Sequence, residues 1–492
     1  MTPRKTIVRS LAALLVVLVG IVVVRTLTFP SRQVGAVEIE VLPLDEEALL
    51  ARFARSITFR TVTSQTGVED EAAFRALHAF LRASFPLTHG TLELETVGEL
   101  SLLYTWSGSE PALDPIVLMG HMDVVPVSPG TEGNWTHPPY DGVIADGFVW
   151  GRGALDDKLA VLAILEGVEA LLRDGFRPRR TIHLAFGHDE EGGGSDGARV
   201  IAERLAQRGV QRLAMVLDEG GVITSGQIPG ITGPVAVVGV AEKGSVTLTL
   251  RVEGVGGHAS TPPEHTNIGV LARAITRLED HPFPLDLGPA VRSMFDFVGP
   301  EMPFGMRLVF ANLWLFEPLV ESIMAKSSTS RALLHTTTAT TIIAGGIKSN
   351  VLPSTASADV NFRIVPGDTP ESVAQRVRAV IDDERVEILG AEDGRPPSPI
   401  SDTDGPAFET LSRTIKEVLG TDVLVAPYLV LPGTDSRHFT GLSTNVYRFL
   451  PTRFEEEDMR RVHGTNERVR TESYLDSVRF FYRLIRNFDQ LP

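Results

Sequence analysis

The chain has 492 residues, of which 43% are hydrophobic and 22% charged, as in a globular protein larger than one ordinary domain. Its 46 basic and 62 acidic residues give a formal net charge of -16, which argues against nucleic acid as a partner, because phosphate binding needs a basic surface. The chain has no cysteine, which excludes disulfide bonds and thiolate ligands, so any metal ion would be held by nitrogen and oxygen atoms.

Residues 1–30 are typical of a membrane anchor or a signal segment. Basic residues precede an apolar run from Ser10 to Val24, which would form about 22 Å of helix against a hydrocarbon core of about 30 Å. We favour a retained anchor, with the catalytic part outside the cytoplasm in the periplasm, a lumen or the extracellular space. A cleaved signal peptide, which would release a secreted protein, is the alternative. Residues 31–45 read as a linker.

The first polar motif, HMDVVP, begins at His121, directly after the apolar residues 116–120. These residues predict a buried strand, so the imidazole would lie at the carboxyl end of the sheet, where open α/β sheets place their sites. Asp123 points to the same side of an extended chain and can accept the second ring N–H. A surface turn is the alternative for this segment taken alone.

The next three motifs, GRGALDDK, FGHDEEGGGSDGA and VLDEGG, supply carboxylates. Asp156 belongs to an Asp pair that opens an apolar helix, so it either bridges two cations or caps the helix. Glu190 and Glu191 follow an apolar strand. Such neighbouring carboxylates repel each other unless a cation or a shared proton is present, and a solvated acidic loop is the alternative. Asp218 follows another apolar strand in the same way.

The order of predicted elements changes at about residue 241. Residues 46–240 and 394–492 alternate strands and helices, which predicts an α/β catalytic domain with a mainly parallel sheet. Residues 241–393 read as β-α-β-β-α-β, a ferredoxin-like α+β lid or dimerisation domain inserted between these two parts. Within the insert, the apolar residues 296–324 are read as a lid core or a dimer helix pair; a wall for an acyl chain or a membrane-facing surface is the alternative.

The last motif, VHGTNE, contributes His463 near the C-terminus. A single histidine in a loop is usually without function, but coincidence is the weaker account of five such segments in order, with side chains that suit zinc. With these motifs the chain resembles peptidase family M20, the zinc-dependent aminoacylase and carboxypeptidase family. It is most similar to the carboxypeptidase S branch and the N-fatty-acyl-amino-acid synthase/hydrolases. The resemblance extends from about residue 45 to about residue 488.

The resemblance implies two Zn²⁺ ions per chain, for which Co²⁺ or Mn²⁺ can substitute, with Asp156 shared between them. It also implies that Glu190 is the general base and that Asp123 orients His121. The implied metal ligands are His121, Asp156, Glu191, Asp218 and His463.

A second set of residues resembles the family's substrate contacts. His258, in GVGGHASTPP, would reach from the lid to the oxyanion. Arg363 ends an alternating strand, and an arginine fork matches the free carboxylate of an amino acid. A charge at the strand edge is the alternative for Arg363, and a solvated helix residue is the alternative for Arg437. The remaining candidates are Asn350, Gly433 and Thr434.

The sequence therefore predicts a dizinc amidohydrolase that cleaves the amide bond preceding a C-terminal free amino acid. The acyl side would be a short peptide or an N-acyl group, with hydrophobic groups favoured, and the reaction could also run towards synthesis. A non-catalytic metal-binding or scaffolding relative is the alternative. Expected partners are the small substrate, a membrane through the N-terminal segment and a second copy of the chain through the lid.

Overall fold

The computed structural model of the chain describes residues 3–35, 42–64, 67–455 and 457–491, with side chains from residue 7 onwards. Residues 36–41 of the predicted linker lie outside the described residues. The helices are α1 (Pro3–Leu27), α2 (Glu46–Ile57), α3 (Glu71–Ser84), α4 (Pro86–Thr91), α5 (Lys158–Arg173), α6 (Ala198–Gln207), α7 (Asn267–Asp280), α8 (Gly288–Val298), α9 (Phe304–Ala311), α10 (Leu313–Met324), α11 (Ser328–Ala332), α12 (Pro370–Ile381), α13 (Pro406–Leu419) and α14 (Thr471–Asp489).

The strands are β1 (Thr63–Ser64), β2 (Gly67–Val68), β3 (Glu93–Val97), β4 (Ser101–Trp106), β5 (Ile116–His121), β6 (Val143–Ala145), β7 (Phe148–Trp150), β8 (Ile182–Gly187), β9 (Met215–Asp218), β10 (Val222–Ser225), β11 (Pro234–Glu242), β12 (Gly244–Glu253), β13 (Gly257–His258), β14 (Thr337–Gly345), β15 (Val351–Leu352), β16 (Thr355–Ile364), β17 (Val386–Leu389), β18 (Leu424–Val430), β19 (Val446–Arg448), β20 (Arg453–Phe454) and β21 (Arg468–Arg470).

The larger sheet has ten strands in the order β20-β10-β11-β19-β9-β5-β8-β4-β3, with β18 paired to β11. Its centre is parallel, because β5 pairs in parallel with β8 and β9, and β9 with β19. Strands β5 and β8 are buried along their whole length, as expected for apolar strands covered on both faces. The predicted α/β class with a mainly parallel sheet is confirmed.

Helices cover both faces of this sheet. On one face α5 packs between the sheet and α14, so nearly all of its residues are buried and its sequence is apolar almost all round. A Cβ at Gly167 would lie 3.0 Å from the backbone nitrogen of Tyr482, so this glycine allows α14 to approach closely. On the other face α6 packs against β5 and β8 through a separate apolar cluster.

The smaller sheet contains four antiparallel strands in the order β14-β16-β12-β17. Helices α7 and α12 pack with it and share its apolar core. The chain order β12-α7-β14-β16-α12-β17 and the strand order together are the ferredoxin-like arrangement that the sequence predicts. The exact boundaries of the predicted insert, residues 241 and 393, stay predictions.

The apolar segment between α7 and β14 packs with the larger sheet rather than with the smaller one. Helix α8 lies against β18, and its residues Val291, Phe295 and Val298 belong to the core of the larger sheet. The side chains that build the core of the smaller sheet come from residues 246–278 and 356–386. The segment therefore does not form the core of the lid.

Helix α1 ends against α9, and the residues after it continue along the folded body. The side-chain amide of Gln33 donates to the backbone oxygens of Val425 and Phe297, at 2.9 and 3.1 Å, and its oxygen accepts the N–H of Val425 at 2.9 Å. Arg32 stacks over the ring of Phe297, with 4.1 Å between the guanidinium carbon and the ring centroid. Arg32 and Gln33 thus hold this segment against the body by specific contacts.

Candidate metal centre

His121 is the last residue of β5, and its side chain is almost fully buried. Its Nδ1 lies 3.0 Å from the backbone oxygen of Asp123 and 3.3 Å from a carboxylate oxygen of the same residue. Its Nε2 lies 2.8 Å from Oδ1 of Asp156. Asp123 therefore fixes the orientation of the ring, and Nε2 is the atom that is free to bind a metal ion.

Asp123 also holds the turn that follows β8. Its carboxylate accepts the backbone N–H of Glu190 at 3.2 Å and that of Glu191 at 3.1 Å. The turn then passes close to Asp435, where a Cβ at Gly194 would lie 2.0 Å from a carboxylate oxygen, and Gly194 has a φ of 65°. Only glycine fits this position, so the glycine run after the two glutamates serves the geometry of the site.

Asp156 joins two groups of potential metal ligands. Its Oδ2 lies 2.9 Å from Nε2 of His463, and the same Nε2 lies 3.1 Å from Oε1 of Glu191. The ligand atoms of each group lie within 4.8 Å of one another. The first group is His121, Asp156 and Glu219, and the second is Asp156, Glu191 and His463. One carboxylate thus serves both groups, with one oxygen turned towards each histidine.

The structure places Glu219, the residue after Asp218, beside His121. Oε1 of Glu219 lies 3.7 Å from Nε2 of His121. The carboxylate of Asp218 accepts the backbone N–H of Ser436 at 2.7 Å instead. Asp218 is the last residue of β9, and Glu219 lies in the bend that follows it. Asp218 as a ligand stays a prediction, and Glu219 is a further candidate that the sequence analysis did not single out.

The sequence leaves open whether Asp156 of GRGALDDK bridges two cations or caps the following helix. Asp156 faces both histidines, whereas Asp157 is the N-cap of α5 and accepts the backbone N–H of Ala160 at 3.4 Å. The helix cap is therefore Asp157, and bridging by Asp156 stays a prediction.

The carboxylates of the site are crowded. Burial and the nearby Asp435 carboxylate raise the pKa of Glu190 well above its ordinary value. Burial, Asp156 and Asp157 do the same for the pKa of Glu219. Mutual repulsion of this kind is relieved by cations. The donor set of imidazole nitrogen and carboxylate oxygen also suits zinc, so the residues present fit divalent metal ions.

The pKa values of the two histidines are raised as well, which for an imidazole favours the charged form. Hydrogen bonds to Asp156 and Glu191 raise the pKa of His463 to about 10. For His121, burial favours the neutral ring, but the carboxylates of Asp123 and Asp156 outweigh it and raise its pKa well above the ordinary value. Metal binding requires neutral imidazole, so it must displace these protons and becomes weaker as the pH falls.

Glu467, which the sequence analysis does not indicate, connects the loop that carries Asp156 to the loop that carries His463. Its fully buried carboxylate accepts the backbone N–H groups of Gly153 and Leu155, each at 2.9 Å. It also forms an ion pair with Arg152, whose Nη2 donates to the backbone oxygen of His463 at 3.0 Å. The only sequence signal for this role is its place in the motif of His463, because its partners are more than 300 residues away.

Replacing Glu467 by glutamine should destabilise the protein and weaken metal binding. The change keeps the shape but leaves Arg152 buried without its counter-ion, which costs about 3 to 5 kcal/mol of unfolding free energy. Thermal unfolding and metal analysis of the full chain would measure both effects. The matched control is Glu110→Gln, which breaks an exposed ion pair with Arg179 and should leave both readings nearly unchanged. Equal behaviour of the two variants would contradict the assigned role.

The expected lid residues do not converge on this centre within one chain. Gly257–His258 pairs with Val351–Leu352, so His258 and Asn350 lie at the same exposed edge. Arg363 lies near the opposite end of β16 from Thr355, eight residues along the strand, or about 27 Å. No hydrogen bond or ion pair joins His258 to the metal-ligand groups within the described parts of the chain.

Thr434 and Arg437 lie at the centre but are bonded to the protein itself. The backbone N–H and the hydroxyl of Thr434 donate to the buried Glu242, at 2.9 and 3.0 Å. Arg437 donates to the backbone oxygens of Thr434 and Gly193. Its Nη1 also lies 3.8 Å from Oε1 of Glu190. These contacts make Arg437 a partner of Glu190 rather than a solvated helix residue.

Arg395 is a further cation near the site that the sequence did not indicate, because it lies in a coil segment without a motif. A Cβ at Gly433 would lie 2.1 Å from its guanidinium, so this glycine makes room for Arg395. Ser245 pairs with Arg363 on one side and with Arg395 on the other. Two arginines therefore flank the same point where the smaller sheet meets the larger one.

Comparison with known proteins agrees with this geometry. Residues 117–487 match the model of peptidase family M20/M25/M40. The chain belongs to this family. It is 40% identical to the probable carboxypeptidase S-like 2 of Dictyostelium discoideum, over 99% of this chain and 94% of that protein. It is also 40% identical to the N-fatty-acyl-amino acid synthase/hydrolase of Homo sapiens, over 88% of this chain and 86% of that protein.

Solved structures of low sequence identity share the fold. An M20 family metallo-carboxypeptidase from Sulfolobus solfataricus superposes with a TM-score of 0.65 at 18% identity, covering 91% of this chain and all of the other. Human carnosine dipeptidase 1 superposes with a TM-score of 0.62 at 17% identity, covering 91% and 97%. The family match and the relatives at 40% identity confirm the predicted family and enzyme class: the chain is a metallopeptidase-type hydrolase of family M20.

Proposed function

We propose that the protein is a dizinc amidohydrolase that cleaves the amide bond preceding a C-terminal free amino acid. The observation that carries the proposal is the carboxylate of Asp156, which faces both histidines in the two ligand groups. The proposed ligands are His121 and Asp156 for one ion, with Glu219 or the predicted Asp218 as the third, and Asp156, Glu191 and His463 for the other. Glu190 belongs to neither group and lies beside them, which leaves its carboxylate available for proton transfer.

The chemistry follows from these positions. Bound zinc would lower the pKa of a water molecule and polarise the substrate carbonyl. Glu190 accepts the proton of the attacking water and later donates it to the leaving nitrogen. Asp123 fixes the backbone of Glu190, and Arg437 lies close to its carboxylate.

The free carboxylate of the substrate is assigned to Arg363. It is exposed on β16 at the junction of the two sheets, where Arg395 adds a second positive charge. A guanidinium binds a carboxylate through two parallel hydrogen bonds, which suits an amino acid with a free C-terminus. This assignment explains how a protein with a net charge of -16 attracts an anionic substrate: the positive charges are local.

Arg363→Ala should weaken substrates that carry a free carboxylate. Loss of a charge-assisted pair of about 1.5 to 3 kcal/mol lowers kcat/KM by roughly 10- to 150-fold. Amidating the substrate carboxylate should lower kcat/KM of the wild type by a similar factor. It should lower kcat/KM of the variant only slightly further. Arg251→Ala, at the far end of the neighbouring strand, is the matched control. If Arg363→Ala keeps the wild-type preference for acid over amide, recognition lies elsewhere, with Arg395, Arg437 and Asn350 as the next candidates.

A second copy of the chain is the proposed source of the missing lid contact. His258 and Asn350 lie beyond the Thr355 end of β16, and Thr355 is about 27 Å along the strand from Arg363, so we infer that they do not meet one small substrate within the same chain. We assign the predicted oxyanion contact of His258 to a lid-mediated homodimer. Measurement of the molecular mass in detergent tests this: a chain that is active as a monomer would exclude it.

Membrane anchoring by α1 belongs to the same proposal. Ile7–Leu27 is the one helix, among the described residues, that is long and apolar enough to cross a membrane. Its carboxyl end and the following residues contact the folded body, which favours a retained anchor over a cleaved signal. The catalytic body would then lie outside the cytoplasm.

Substrate profiling tests the proposed function as a whole. The zinc-loaded full chain would be assayed with dipeptides and with amino acids acylated by groups of increasing length. We expect release of the free amino acid from both, with a preference for hydrophobic acyl groups, as the names of the synthase/hydrolase relatives suggest. Failure to hydrolyse any member that carries a free carboxylate would contradict the proposal.

A further inference from the structure

Helix α10 exposes its apolar side. Trp314 and Leu315 are adjacent on one face, and Leu319 and Ile323 follow on the same face at intervals of four residues. The exposed fraction is 52% for Trp314, 41% for Leu315, 50% for Leu319 and 52% for Ile323. We call these four residues the α10 stripe.

The acidic residues of α10 point the other way, towards the protein. Glu317 forms an ion pair with Arg292 of α8, and the carboxylate of Glu321 accepts the backbone N–H of Leu287. A helix on the surface of a water-soluble protein normally does the reverse, with its apolar face inward and its charges in water. The orientation of α10 therefore indicates that its outer face meets an apolar environment.

The α10 stripe is continuous with the apolar helix α1. Asn312, just before α10, donates from its amide to the backbone oxygen of Val22 at 3.2 Å and to the hydroxyl of Thr26 at 3.3 Å. Nε of Arg25 donates to the backbone oxygen of Ala311 at 3.2 Å. The start of α10 thus lies beside Val22, five residues before the end of α1.

Five helical residues correspond to a depth of about 8 Å from the end of α1. Interfacial helices lie roughly 5 to 10 Å deep, at the boundary between head groups and acyl chains. Trp314 suits that level, because indole rings are enriched at membrane interfaces. The exposed Lys326 and Arg331 follow the stripe and can meet lipid phosphates.

We propose that the α10 stripe is embedded in the outer interface of the lipid bilayer that α1 crosses. The inference rests on the proposed anchoring by α1 and adds a second, monotopic contact of the catalytic body. A second copy of the chain is the weaker occupant. The stripe offers on the order of 400 Å² of apolar surface, about half of what one partner contributes to a stable interface.

Tryptophan fluorescence tests this on the full chain. Of its four tryptophans, only Trp314 is exposed, since Trp106, Trp135 and Trp150 are 4%, 8% and 5% exposed. The protein would be reconstituted in phosphatidylcholine vesicles with brominated acyl chains, which quench tryptophans inside the bilayer, and separately exposed to aqueous iodide. We expect bromolipid to quench a component that Trp314→Phe removes, and iodide to leave that component largely unaffected.

Two tryptophans added to the Trp314→Phe background provide a matched pair. Leu319→Trp should restore quenching by bromolipid. Leu87→Trp should not restore it. Leu87 is also exposed, but it lies on α4, near β4. Strand β4 is six strands from β18, or roughly 30 Å away across the larger sheet. Both sites are already exposed to the surroundings, so neither change disturbs the core.

The outcomes separate the possible arrangements. Iodide quenching of Trp314 without bromolipid quenching, in protein that floats with the vesicles, would overturn the α10 contact and leave the anchor intact. Protection of Trp314 from both quenchers would indicate a second copy of the chain and also overturn it. Protein that does not float with the vesicles would overturn the anchor and the α10 contact together, while the hydrolysis assay would still report the proposed enzyme activity.

Discussion

Replacing Glu190 by glutamine should lower kcat at least about a hundredfold while both metal ions remain bound. The amide has the size of the carboxylate but cannot accept the proton of the attacking water, and positioned acid-base catalysis contributes roughly a hundredfold to ten-thousandfold. Metal binding should survive because Glu190 is outside both ligand groups. Its backbone N–H also stays bonded to Asp123 whatever the side chain is. Steady-state kinetics together with metal analysis measure the two effects.

The neighbouring residue is the matched control. Glu191 lies 3.1 Å from His463 within a ligand group, so Glu191→Gln should lower the metal content as well as the rate. Adding excess zinc should rescue part of its activity and none of that of Glu190→Gln. If Glu190→Gln retains activity within a few fold of the wild type, another group carries the proton and the general-base assignment fails.

Asp156→Ala should lose both ions more readily than any other single substitution in the centre. Each of its carboxylate oxygens faces a different histidine, so the change removes one ligand from both groups at once. Removal of His463 or Glu219 affects one group only. Metal analysis after dialysis, over a series of free zinc concentrations, would compare these variants.

Asp157→Asn is the control for local damage. Asp157 is fully buried and caps α5, but it belongs to neither ligand group. Burial raises its pKa well above the ordinary value, so an uncharged amide is a close replacement. This variant should keep both ions. Two ions retained by Asp156→Ala at the wild-type zinc concentration would show that the carboxylate is not shared.

Much of the centre could be predicted because its residues sit at the ends of apolar strands. The runs before His121 and Glu190 are short, apolar and buried, and parallel neighbours bring their carboxyl ends to one edge of the sheet. Local sequence therefore determines both the element and the position of the side chain. The ferredoxin-like order of the smaller sheet was predictable for the same reason.

Other features depend on contacts that no local pattern records. Asp218 and Glu219 are adjacent acids, and the approach of Glu219 to His121 depends on the bend of the backbone after β9 ends. Glu467 acts on Gly153 and Leu155 from the other end of the chain.

The apolar segment before β14 shows the same limit. Its composition allows a lid core, a dimer contact, an acyl-chain wall or a membrane surface, and each needs a similar number of apolar residues. The packing of α8 on β18 argues against the lid core, and the inward direction of Glu317 shows that the apolar side of α10 faces outwards. The direction in which a helix faces is a property of the tertiary fold, so the sequence alone left these alternatives open.

The central claim is that two zinc ions share Asp156. X-ray diffraction from crystals of the zinc-loaded protein, recorded on both sides of the zinc absorption edge, tests it most directly. The structure predicts two anomalous peaks, one beside His121 and Glu219 and the other beside Glu191 and His463, with the carboxylate of Asp156 between them. A single peak at saturating zinc, or two peaks of which neither contacts Asp156, would contradict it.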